Sequence, residues 1–153
     1  MLPTEDHSGY RIWYRTYGPG PPSCYATSTD GIHWTKPALG IISYNGSTAN
    51  NMYTTLGTVG SVVHTPFNTN PNRRYTFLAH AAGRFMGAWS GDGVHWSGLP
   101  NNPLNLGDSD VAHVAWDPLR GRYLAYVKLH GYLYGLQRRA VGFSTTTDFI
   151  SWP

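Results

Sequence analysis

Carboxylates are scarce in this sequence, and one pair of them stands where a reaction could be run. The chain carries Glu5, Asp6, Asp30, Asp92, Asp108, Asp110, Asp117 and Asp148 as its only acids. Asp30, Asp92 and Asp148 belong to a repeated string, and catalytic groups rarely recur identically in every repeat. Asp117 heads an Asp-Pro turn, and Glu5 and Asp6 precede the first strand that the pattern defines. Asp108-Ser109-Asp110 is left, at the start of the run 111–116. Asp110 is the leading catalytic candidate, as acid/base or as a ligand for substrate hydroxyls, with Asp108 beside it as a binding residue. The competing reading is a loop carboxylate that accepts nearby backbone N–H bonds.

Other polar groups could assist. His64 and His113 fall on matching strands and His80 at the end of another, so imidazoles could meet substrate hydroxyls. Hydrogen-bonded core histidines are the alternative for each. Arg139, next to Arg138, could hold a hydroxyl or carboxylate, or be a solvated hairpin residue. Asn51 could bind sugar hydroxyls, although residues 46–51 also suit an ordinary turn. No His, Cys or carboxylate spacing matches a metal motif, and no cofactor is assigned. The lone Cys24 sits beside Tyr25 in an apolar strand, where a buried inert thiol is expected.

Composition narrows the class. Aromatic residues make up 14% of the chain and charged residues 12%, with 18 Gly and 11 Pro. Such a mixture suits short strands and tight turns and disfavours helices. The net charge of +3 arises from scarce acids, and the basic residues are scattered. A nucleic-acid partner, which calls for basic residues gathered on one face, is not expected. Residues 1–9 are polar, without the apolar core of a secretory leader, and no apolar run is long enough for a membrane-spanning helix. No membrane partner is expected.

The elements that position these groups come from the repeat. Ser28-Thr29-Asp30-Gly31-Ile32-His33-Trp34 recurs as Ser90-Gly91-Asp92-Gly93-Val94-His95-Trp96 and Thr146-Thr147-Asp148-Phe149-Ile150-Ser151-Trp152. The copies lie about 60 residues apart, the length of one supersecondary unit. Aromatic strands are predicted upstream at 10–14, 74–78 and 122–127, second strands at 24–27, 85–89 and 139–143, and inner strands at 61–64 and 111–116. Each unit is then an antiparallel meander closed by an Asp turn, whose Trp packs between sheets. That is the pattern of a four-stranded β-propeller blade. The expected fold is all-β: a partial β-propeller over 1–153 with three blade units at roughly 1–45, 58–100 and 108–153. The first unit is expected to lack its inner strand and the third its fourth strand. Such a chain is an internal piece of a longer propeller, or an open segment able to self-associate through its blade edges.

The strings at 28–34 and 146–152 resemble the blade signature of the five-bladed propeller glycosidases, the group containing glycoside hydrolase families 32, 43 and 68. Tyr10-Arg11-Ile12-Trp13-Tyr14, Tyr25-Ala26-Thr27-Ser28, Trp34-Thr35-Lys36-Pro37 and Tyr44-Asn45-Gly46-Ser47 with Asn50-Asn51 are similar to bacterial family-32-like proteins. The resemblance spans nearly the whole chain. It implies a five-bladed parent, extracellular or periplasmic, that acts on oligo- or polysaccharides. It also implies a central funnel with three carboxylates: a nucleophile or base, a sugar-holding residue and a general acid. Two carboxylates flanking the bond are the minimum for this hydrolysis. Thr65 departs from the pattern, since the resembled families often have Asp before the following Pro. The expected function is therefore glycoside hydrolase-like carbohydrate processing. The alternative is a non-catalytic carbohydrate-binding or scaffold propeller. A sialidase-like propeller ranks third, because its repeated box normally places one residue between Asp and Gly, and here Asp30-Gly31 and Asp92-Gly93 are adjacent.

Overall fold

Alternation of aromatic with small or polar residues, punctuated by Gly and Pro, produces strands throughout the chain. The computed structural model describes residues 1–19, 23–107 and 110–153. Among them there is no α-helix, and one short 3-10 turn at Pro71–Arg73. The first sheet is the meander β1 (Leu2–Pro3), β2 (Tyr10–Arg15), β3 (Ser23–Ser28) and β4 (Met52–Thr54). The second is β5 (Thr58–His64), β6 (Tyr75–Ala81), β7 (Arg84–Ser90) and β8 (Ser97–Gly98). The third has three strands, β9 (Ala112–Asp117), β10 (Arg122–Leu133) and β11 (Leu136–Thr146). All strand pairs are antiparallel.

Two features differ from the sequence expectation. The first sheet does have an inner strand: Leu2 and Pro3 pair with Arg11 and Tyr10. Two residues are too few to leave an alternation pattern in the sequence. Its outer strand comes from Met52–Thr54, reached only after the long loop that follows Trp34. The β10–β11 hairpin is also longer than predicted. β9 covers β10 only from Arg122 to Val127, and the two long strands continue as a paired arm to Leu133–Leu136. Tyr134 (φ 51°) and Gly135 (φ 75°) both take the left-handed backbone that a two-residue hairpin turn requires.

The repeated string folds into the same type of turn in each sheet. In the second copy the Ser90 Oγ accepts the N–H groups of Asp92 and Gly93, at 3.2 and 2.8 Å. Asp92 Oδ1 then accepts the N–H groups of Val94 and His95, both at 2.8 Å, and His95 Nδ1 lies 2.7 Å from Oδ2. Ser28 and Asp30 repeat these bonds; in the third copy Asp148 repeats its own, with Ser151 in place of the histidine, while Thr146 Oγ1 accepts the Asp148 N–H at 3.4 Å. Orphan backbone donors in a sharp turn are thus satisfied locally. Burial pushes the Asp92 carboxyl up, but the bonds from His95 and Val94 outweigh it and hold it at about 2. Burial likewise opposes, and the Ser151 and Ile150 amides outweigh, the shift that leaves Asp148 at about 2.

The second and third turns each dock on the sheet before them. The Trp13 indole N–H donates to the Gly93 carbonyl at 2.6 Å, and Arg11 Nη1 donates to the Asp92 carbonyl at 2.9 Å. Trp13, Tyr25, Tyr53, Tyr75 and Phe77 fill the space between the first two sheets. Trp96 closes it, 5.3 Å from Phe77 and 6.1 Å from Tyr53. The second interlayer core joins Leu78, Phe85 and Leu104 to Tyr123, Phe149 and Trp152. Middle strand β6 is therefore covered on both faces, Phe77 toward the first sheet and Leu78 toward the third, and reads as a nearly continuous buried run. Trp34 departs from its expected place between sheets, because no sheet precedes the first, and it is only half-buried.

Glycine at position 93 has φ 80°, and a Cβ there would stand 2.9 Å from the Trp13 ring; at Gly31, φ 76°, the nearest atom would be 3.6 Å away on Tyr10. Gly93→Ala and Gly31→Ala share the backbone cost of about 1–2 kcal/mol. Gly93→Ala should lose a further ~1–3 kcal/mol from overpacking at the sheet junction. Chemical denaturation of the two variants checks this, the expected outcome being a clearly lower midpoint for Gly93→Ala. The depressed Asp92 and Asp148 stabilise the fold above their unfolded pKa. That contribution should be lost as pH falls from about 4 through about 2. A double Asp92→Asn, Asp148→Asn variant should show a flatter stability profile across this window in thermal melts.

Candidate functional site

Inner strands β5 and β9 run side by side, and their first residues line one cleft with the end of β6. The cleft has a volume of about 200 Å³ and includes Arg15, Thr58, Gly60, His80, Asp110 and His113. It continues over Val59 and Gly60 into a more open one of about 380 Å³, reached by Trp13, Tyr14 and Ser61. A β-bulge sits at this point: the pairing register of β5 shifts between Val59 and Ser61. The extra residue is Gly60, whose missing side chain leaves room against the Ala112 and Leu78 carbonyls, 3.2 and 3.3 Å from a built Cβ. Ser61 is turned toward β9, where its Oγ accepts the Val114 N–H at 3.0 Å and lies 3.3 Å from His113 Nδ1.

Asp110 stands on the rim of the cleft, exposed, in an ion pair with Lys128 Nζ. The Lys128 ammonium holds its carboxyl below the ordinary carboxylate range, against a smaller opposing effect of desolvation. A general acid at neutral pH needs the opposite shift. Asp110 is an ionised acceptor, suited to hydrogen-bonding hydroxyls or taking up a proton. His80 also faces this space, edge-on to Phe85 at 6.0 Å, with a buried Nε2 that has no hydrogen-bond partner. Arg15 lies over the Tyr17 ring at 4.5 Å and adds a guanidinium to the cleft.

Of the residues singled out in the sequence, the structure brings Asp110, His80 and His113 together. Asp108 lies outside the described residues. His64 is at the far end of β5, stacked on Tyr75 with centroids 4.3 Å apart and planes 9° apart. Strand register explains the separation: Tyr75 pairs with His64 and the equivalent Tyr123 pairs with Trp116, so His64 and His113 occupy different levels. Burial, and to a lesser extent Arg11 and Arg74, lowers the His64 pKa and favours the neutral ring. Asn51 is engaged within the first sheet, its Nδ2 donating to the Tyr14 hydroxyl and the Tyr25 carbonyl at 2.8 and 2.7 Å. Arg139 is exposed on the β10–β11 arm opposite His130, away from the cleft.

The remaining acids are occupied elsewhere. Glu5 accepts the Tyr75 hydroxyl at 2.8 Å and lies 3.9 Å from Arg11, beside a separate cleft shared with His64 and Arg74. Burial and the Glu5 bond push Tyr75 up to about 12. Asp117 caps its turn through the Leu119 and Arg120 amides. Thr65 closes the β5–β6 turn, bonding the Arg74 carbonyl through its backbone N–H at 2.7 Å and its hydroxyl at 3.3 Å. Cys24 is buried and free, its thiol pKa pushed up by desolvation. Among the described residues no three His, Cys, Asp or Glu side chains are placed to share a metal ion.

Lys128 and Arg15 escaped the sequence reading because both sit at strand positions where a charged residue reads as solvent-facing. The β10 alternation does carry a signal: residues 124, 126 and 128 share one face, and Lys128 reaches back from it to Asp110. Lys128→Met should raise the Asp110 pKa toward the ordinary value, and carboxyl NMR titration of wild type and variant measures that shift directly. No protein-family model, curated protein or solved structure matches this chain.

Proposed function

We propose that the three sheets are blades of a β-propeller, of the five-bladed glycosidase type that the sequence resembles, and that the cleft between inner strands β5 and β9 binds a saccharide. The arrangement at the first residues of β5 and β9 supports this most: an ionised Asp110, His113 and Arg15 around a small cleft beside a glycine bulge. Carboxylate and imidazole groups accept and donate hydrogen bonds to vicinal hydroxyls, and Trp13 and Tyr14 in the adjoining space offer flat faces to a sugar ring. In glycoside hydrolase-like processing Asp110 takes the role of base, nucleophile or sugar ligand. A specific observation favours the non-catalytic reading: among the described residues Asp110 is the cleft's one carboxylate, and hydrolysis needs a second with a raised pKa.

Calorimetric titration with neutral oligosaccharides, alongside an aryl-glycoside turnover assay, tests the proposal. Asp110→Asn should weaken saccharide binding roughly tenfold or more, the value of a hydrogen bond to a charged group. Unchanged binding would remove Asp110 from the site. Turnover that Asp110→Asn abolishes selects the hydrolytic reading, and binding without turnover selects the non-catalytic one.

A further inference from the structure

The β10–β11 arm outgrows the hairpin of the sheet beside it, and its tip carries charge and aromatic surface that sheet packing does not use. Strand register sets a common scale: Tyr75 pairs with Ser90 and Tyr123 with Thr146, so the two tyrosines stand at one level. β6 ends at Ala81, paired with Arg84, and the same step from Tyr123 reaches only Leu129. β10 runs on to Leu133 before it turns, four residues and about 14 Å further. The tip from His130 to Arg139 therefore rises above the height at which the second sheet ends. A neighbouring sheet of that height would leave it uncovered.

This tip is cationic and aromatic. No acid occurs between Asp117 and Asp148, a stretch that holds Lys128, Arg138 and Arg139. Among the described residues neither arginine has a carboxylate partner. Tyr132 and Tyr134 are 80% and 96% exposed. Alternation puts Lys128, His130 and Tyr132 on one face of β10, and pairing sets Arg139 opposite His130 and Gln137 opposite Tyr132 on that same face. Arg138 lies on the other face, opposite Gly131. The strip begins at the cleft, where the Lys128 N–H donates to the Val111 carbonyl at 2.9 Å and its ammonium pairs with Asp110 on the rim.

We infer that this strip is an extended subsite for an acidic polysaccharide, with one ring held in the cleft and the following rings laid along His130, Arg139 and Tyr132. The extension rests on the saccharide-binding reading of the cleft and names the class of saccharide. Charge complementarity selects the occupant: a guanidinium without an internal carboxylate offers its planar fork to carboxylate or sulfate groups, and Tyr132 offers a flat face to a sugar ring. Continuity ties the strip to the cleft, because it starts at the residue that clamps Asp110. Lys128 also neutralises that carboxylate, which removes the repulsion an acidic chain would otherwise meet at the rim.

Calorimetric titration of the full chain tests this, with hexamers of galacturonate, mannuronate and sulfated galactose, each beside its uncharged methyl ester or desulfated form. At least one acidic hexamer should bind roughly tenfold tighter than its uncharged form, the value of one hydrogen bond between charged groups. That margin should shrink as salt rises. Arg139→Gln should remove it, whereas Arg139→Lys, and Arg138→Gln on the opposite face, should keep most of it. Both arginines are exposed, and unchanged thermal melts confirm that the variants fold. No acidic margin in wild type, a margin that survives Arg139→Gln, or an equal loss from Arg138→Gln would each overturn the extension alone. Arg139-dependent sedimentation with phosphatidylserine vesicles, in place of an acidic margin, would overturn it in favour of a membrane surface. An Asp110→Asn variant that binds the uncharged hexamers as wild type does would overturn the cleft reading and the extension with it.

Discussion

One carboxylate oxygen holding two backbone N–H groups fixes how the sheets of this chain can stack. In each copy of the string, the Asp Oδ1 accepts the amides two and three residues on, and in the two Ser copies the preceding hydroxyl accepts both amides of the sharp turn. With its donors satisfied internally, the turn can be pushed into an apolar junction without leaving polar groups unpaired. Its carbonyls then face outward, and at the first junction they meet Trp13 and Arg11. Without that local closure, inserting Gly93 beside Trp13 would bury unpaired backbone groups at about 1–3 kcal/mol each.

The cleft is a consequence of this stacking. Turns anchor the sheets at one end of the inner strands, and the strands' first residues lie at the other, between β5 and β9. No backbone ladder joins those two strands, and Ser61 supplies a connection by accepting the Val114 N–H. The bulge at Gly60 aims Ser61 across the junction and opens space beside it. Asp110, His80 and His113 therefore line a gap between sheets. The clamp of Asp110 by Lys128 decides which chemistry the gap can host: an acceptor in place, and no proton donor from that carboxyl at neutral pH.

The repeat made most of the strands legible. Hydroxyl, Asp, β-branched residue and Trp mark a turn whose geometry depends on those side chains, so the string carries its own structure. Strands beside it are visible because alternation of large apolar side chains such as Tyr10, Ile12 and Tyr14 has a period of two. The inner strand at Leu2–Pro3 and the outer strand at Met52–Thr54 were not, because two or three residues hold no period. The candidate site was only partly legible. Asp110 stood out by the scarcity of acids, but its partner Lys128 lies far along the chain, and the pairing depends on the register of β10 against β9. His64 and His113 looked equivalent by strand membership, and their different registers against Tyr75 and Tyr126 separate them.

The central claim is that the repeated Asp turn works as an architectural latch between sheets. Hydrogen exchange of the Trp13 indole N–H, followed by NMR, tests it most directly, because that proton bonds the Gly93 carbonyl of the docked turn and is buried. The account predicts exchange as slow as that of the β6 amides, limited by opening of the whole domain. Exchange at the rate of an exposed loop would show that the turn does not dock, and would contradict the account.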